Sequence, residues 1–171
     1  MTNNPRTTND LNTDSVTTLA KEILEAAPLL RTKLARALFC KPSECQGVLE
    51  EVIKFMILAA ENTTGQITPS ARLDVAWHEF ILFTRTYMNF CQNTLGRMIH
   101  HEPSDNHDLN AGQYAMTLAL YQKRFGIPPL AYWGGQQLES KNEGESAFCG
   151  SCESATVLNL NPTERTKHTQ P

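Results

Sequence analysis

Leu73, Trp77, Phe80, Thr84, Tyr87, Cys91 and Leu95 recur every three or four residues. That is the period of an α-helix with one buried stripe. A second stripe of the same period precedes it, at Leu19, Ile23, Ala27, Leu30, Leu34 and Leu38. No segment alternates apolar and polar residues as a half-buried strand does. The expected fold class is therefore all-α, a compact bundle of four to five helices.

The boundaries follow from local chemistry. Residues 1–14 are rich in Thr, Asn and Asp and are expected to be disordered. A single helical domain is expected over 15–133. Pro28 interrupts the first stripe, which predicts a kink or two short helices with Pro28 in the first turn of the second. Ser43 and Gln46 form a capping-box pattern ahead of a widely apolar helix carrying Val48, Leu49, Val52, Ile53 and Met56, expected to be the central one. Thr68-Pro69 reads as an N-cap followed by proline at the first helical position. The helix of the cleanest stripe should then run unbroken to Gly96. A last helix is expected from about Asn110 to Phe125, with Ala111, Tyr114, Leu118, Tyr121 and Phe125 inward. The segment IPPLAYWGG should pack back through Leu130, Tyr132 and Trp133. Residues 134–171 read as a flexible tail containing Cys149-Gly150-Ser151-Cys152.

Composition excludes some partners. The 171 residues carry a net charge of −3, which gives no global attraction to nucleic acid. The densest basic cluster, Arg31, Lys33, Arg36 and Lys41, reads as a solvated helix face. No apolar run is long enough to span a membrane, and the polar N-terminus lacks the apolar core of a signal peptide. Five cysteines are an odd number in a chain too long to need disulfide staples. The expectation is a cytoplasmic protein with reduced thiols.

The residues able to carry chemistry gather between Thr68 and Pro103. Asp74 stands one helical turn before His78, where a carboxylate can orient the imidazole and leave its other nitrogen for a metal or proton. Cys91 lies thirteen residues beyond His78, roughly 20 Å along a continuous helix, too far to share a metal. Its stripe position predicts a buried thiol. His100 and His101 are adjacent, so in an extended chain at most one faces a given site. A chain turning at Gly96 would bring one of them towards Cys91, and as far as His78 only by a longer return. Glu102 and His107 are further candidates in the same loop. Cys40 and Cys45 are spaced C-x4-C, and Cys149 and Cys152 alone cannot complete a tetrahedral site. No phosphate-binding glycine loop, dinucleotide fingerprint, nucleophile elbow or H-E-x-x-H is present. After Trp77-His78-Glu79-Phe80 the zincin position holds Leu82.

The run PSARLDVAWHEFILFTRTYMNFCQNTLGRMIHHEP resembles the glycine-rich domain-containing protein-like family, a domain of unknown function. The matching residues are Pro69, Asp74, Trp77, His78, Tyr87, Cys91, Gly96 and His100 or His101. The resemblance is to the short bacterial form, without the glycine-rich additions of larger plant relatives. Plant members often carry a second histidine two residues after the Trp-His pair, where this chain has Phe80.

Three functions follow as expectations. The first is a small binding module with a protein partner, in which Trp77, Tyr87, Tyr132 and Trp133 could line a groove, although core packing suits each of them. The second is a metal-binding protein, for zinc, iron or another transition metal, using His78 with His100 or His101. The third, on a chain that leans away from enzymes, is a hydrolase or transferase using Cys91 and a histidine.

Overall fold

Helix α1 (Thr13–Ala26) starts where the Asn12 side chain accepts a hydrogen bond from the Ser15 N–H. The computed structural model describes residues 8, 11–102 and 106–134. Leu11 is only 1% exposed, so the packed region begins before Ser15 and the expected disordered N-terminal segment is too long by several residues. Residues 135–171, where the flexible tail with Cys149 and Cys152 was expected, lie outside the described residues.

Pro28 resolves as the first residue of a separate helix, α2 (Pro28–Ala37), whose missing N–H costs nothing at that position. Helix α3 (Cys45–Glu61) is central and packs against α1, α2, α4 and α6. Its predicted capping box does not form. Glu44 occupies the cap position without a side-chain hydrogen bond to the helix, and its carboxylate instead accepts from the Lys41 N–H.

The stripe from Leu73 to Leu95 is helical but not one helix. Helix α4 (Ala71–Leu82) is capped by Ser70, whose hydroxyl accepts from the Leu73 N–H. The expected start at Thr68-Pro69 is two residues early, because Thr68 is held elsewhere: its N–H donates to the Thr117 hydroxyl and its own hydroxyl donates to Gln113. At Phe83 the backbone leaves helical geometry (φ −85°, ψ 57°). Helix α5 (Thr84–Phe90) follows, then a π-helical turn (Cys91–Leu95). The break leaves Thr84 exposed and turns Tyr87 and Phe90 onto Phe80, with ring centroids 5.2 and 5.9 Å away. Gly96 ends the run at φ 71°, a left-handed conformation that glycine adopts without a Cβ clash.

Helix α6 (His107–Phe125) begins three residues earlier than expected, because Asn106 caps it by accepting from the Leu109 N–H. Its inward face is Asn110, Tyr114, Thr117 and Tyr121, and Ala111 is exposed. Helix α7 (Leu130–Trp133) packs back as expected through Trp133, whereas Leu130 is 81% exposed and points away. The fold is all-α, and no helix among the described residues is long and apolar enough to cross a membrane.

Two charged residues lie in the middle of the apolar helix α3. Glu51 and Lys54 are both buried, with Lys54 Nζ 2.7 Å from Glu51 Oε1. Glu51 Oε2 accepts from the Tyr121 hydroxyl and from Trp133 Nε1–H, each at 2.8 Å. Lys54 also donates to the Tyr121 oxygen and stands over the rings of Tyr121 and Phe125. Burial, reinforced by the Glu51 charge, holds the Tyr121 hydroxyl well above its ordinary range, so it stays a donor. This cluster ties α3 to α6 and α7.

Candidate metal centre

Three side chains from two elements converge on one point. Asp74 and His78 sit one turn apart on α4, and the Asp74 Oδ2 to His78 Nδ1 distance is 3.5 Å. His101 arrives from the extended segment after Gly96 and sets its Nε2 2.9 Å from Asp74 Oδ1. One ligand atom from each residue lies within 4.8 Å of the others.

The segment reaches this place because its backbone is latched. The Tyr87 hydroxyl donates to the Ile99 carbonyl at 2.6 Å and accepts from Trp77 Nε1–H at 3.1 Å. Burial, then the neighbouring Cys91, keep that hydroxyl protonated far above its usual range. The same segment touches Cys91 through the Ile99 backbone. Ile99 is buried and His100 exposed, and two residues beyond Ile99 the chain again faces inward at His101. His101 packs edge-on to Trp77 at 4.7 Å and lies 4.2 Å from the His78 ring.

Asp74 is 7% exposed, and the His78 side chain 32%. Burial lowers the His78 pKa below its ordinary value. Asp74 pulls it up again, His101 pushes it further down, and Glu79 raises it slightly. A neutral imidazole is the form that binds a metal.

The expected pair of Asp74 with His78 is therefore present, and its third neighbour is His101. His100 is exposed and stands outside the cluster, because extended neighbours face opposite ways. The approach of the histidine segment also differs from expectation. Backbone, not imidazole, meets Cys91, and the break at Phe83 together with the turn at Gly96 carries His101 on to His78. Alternation was the signal that could have chosen His101, since apolar Ile99 marks the inward parity. Glu102 is exposed, and the side chain of His107 lies outside the described residues.

Cys91 is fully buried, and burial raises its pKa, which removes the accessible thiolate a nucleophile requires. Tyr87 and Trp133 are core residues, not the lining of an exposed groove. Cys40 and Cys45 are free thiols in mutual hydrogen-bond contact, and burial, with Cys40 beside it, pushes Cys45 up to about 11.

Asp74, Trp77 and His101 form part of the wall of a cleft of about 290 Å³. Its other lining includes Phe55, Thr68, Arg97, Ile99 and Gln113.

The profile of the UCP032817-like family matches residues 25–117, more than half of the chain. The chain belongs to the UCP032817-like family. The matched range takes in all three converging residues, the Tyr87 latch and the cleft residues named above. The family's name states no activity. No curated protein and no solved structure matches the chain.

Proposed function

We propose that this UCP032817-like protein is a metal-binding protein that holds one zinc or iron ion through Asp74, His78 and His101. The observation that carries the reading is the convergence of two imidazoles and one carboxylate, from separate elements, to within 4.8 Å. Bond lengths near 2.1 Å in a tetrahedral site put neighbouring donor atoms about 3.4 Å apart. The Asp74 Oδ2 to His78 Nδ1 distance of 3.5 Å has about that length, and the other oxygen, Oδ1, stands 2.9 Å from His101 Nε2. A single Asp74 oxygen shared by both rings would require the carboxylate to turn between them. Two histidines and one carboxylate suit zinc and non-haem iron alike, and three protein ligands leave further coordination positions open. The Tyr87 latch would serve as an outer support, fixing His101 through the backbone of Ile99.

The motif residues Pro69, Asp74, Trp77, His78, Tyr87, Cys91 and Gly96 also support kinship with the glycine-rich domain-containing proteins. The free thiols Cys40, Cys45 and Cys91 suit a reducing compartment such as the cytoplasm.

Competition of chelator-treated protein against a chromophoric zinc chelator at pH 7 tests the metal reading. The wild type should take about one equivalent, and His78→Ala and His101→Ala should each lose that uptake while remaining folded. Folded wild type that cannot compete with the chelator would contradict the reading, as would undiminished uptake by both variants.

A further inference from the structure

The cleft beside the metal cluster has a chemistry of its own. Its amide side chains are already engaged. Gln113 Nε2 donates to Gln66 Oε1 while Gln113 Oε1 accepts from Thr68, and the Asn62 amide is bonded to Thr64 and Gly65. Arg97 is an exposed residue that lines the cleft and forms no ion pair with any described residue, so its guanidinium is open to a ligand. Arg97 precedes His101 by four residues on the same segment, so their Cα atoms are separated by at most about 14 Å. Phe55, Trp77 and Ile99 give the cleft an apolar wall.

We infer that the cleft binds a short-chain dicarboxylate, with one carboxylate at the open position of the metal and the other on the Arg97 guanidinium. This rests on the metal reading of Asp74, His78 and His101. A guanidinium recognises a carboxylate through paired N–H donors, and zinc or iron accepts carboxylate oxygen. The divalent ion and Arg97 together outweigh the negative charges of Asp74 and of Glu102, which also lines the cleft. The aliphatic middle of the ligand would lie against Trp77 and Ile99. The volume of about 290 Å³ stands at the small end of ligand pockets, which fits such a molecule.

Calorimetric titration of succinate into the zinc-loaded full chain tests this, with tryptophan fluorescence as a second readout because Trp77 lines the cleft. Saturable binding is expected, weaker by about tenfold or more for propionate, for metal-free protein and for Arg97→Gln, and partly regained in Arg97→Lys. Zinc content measured on each sample separates the two claims. A chain that holds no zinc overturns both. A zinc-loaded chain with no saturable response to succinate overturns the dicarboxylate inference alone. So does equal affinity in Arg97→Gln, equal affinity for propionate, or preferential binding of inorganic phosphate.

Discussion

Two buried polar clusters lie in this bundle, and they differ in how completely they are closed. At Glu51 and Lys54 the carboxylate has a partner on each oxygen, and the ammonium is bonded and covered by aromatic rings. The two charges compensate each other within the cluster, which acts as a clamp between α3, α6 and α7. At Asp74 one carboxylate faces two imidazoles, the His78 side chain is partly open to solvent, and a cleft runs along one side. Burial of charge alone therefore does not mark a site. What separates the two is unfilled coordination capacity next to an opening.

The comparison is most easily broken at the clamp. Glu51→Gln leaves Lys54 buried without a countercharge, which should cost about 3–5 kcal/mol and lower Tm by roughly 6–20 °C. Calorimetry checks this, and metal uptake per folded chain should not change. If Glu51→Gln melts like the wild type, the clamp is not the structural cluster described here.

Tyr87→Phe sharpens the other side. It strips a hydrogen bond from Trp77 Nε1 and from the Ile99 carbonyl, both in buried contacts, at about 1–3 kcal/mol. Because the latch also aims His101, metal affinity should fall by about 10–100-fold, read from chelator competition. A loss of stability with unchanged affinity would mean that His101 finds Asp74 without the latch.

His101→Ala should do the reverse. Removing one hydrogen bond and the ring contacts with Trp77 and His78 changes the stability of the metal-free protein by less than about 2 kcal/mol, while metal binding is lost. Denaturant melts with chelator present separate the two effects.

The smallest effect is a pH dependence. His78 has a lowered pKa in the fold, so between its ordinary value of 6.5 and that lower value the unfolded chain binds more protons than the folded one. Stability of the metal-free protein should then be fully present above pH 6.5 and decline as the pH falls through that window. Asp74 and Glu79 from α4 oppose the shift, and His101 from the facing segment reinforces it. In His78→Ala this part of the slope should disappear.

The helical period made the all-α class legible, and Pro28 and Gly96 marked two of its boundaries. The break at Phe83 was not legible, because Leu82-Phe83-Thr84 contains neither glycine nor proline. It is set by the packing of Tyr87 and Phe90 onto Phe80, a contact the local sequence does not announce. Asp74 with His78 could be read from an i, i+4 spacing. His101 depended on a long-range turn, and only the parity with Ile99 distinguished it from His100. Glu51 and Lys54 were hidden by their surroundings: in a helix so apolar, two charges three residues apart were themselves the sign of a buried pair, but their partners Tyr121 and Trp133 lie about 70 residues or more away.

Metal content of the purified protein by inductively coupled plasma mass spectrometry addresses the difference between the open and closed clusters most directly. The wild type and Glu51→Gln, each normalised to folded chain, should carry about one zinc or iron ion, and His101→Ala essentially none. A wild type that is folded and metal-free, and stays so after zinc is supplied, would contradict the account, as would a His101→Ala protein with the wild-type metal content.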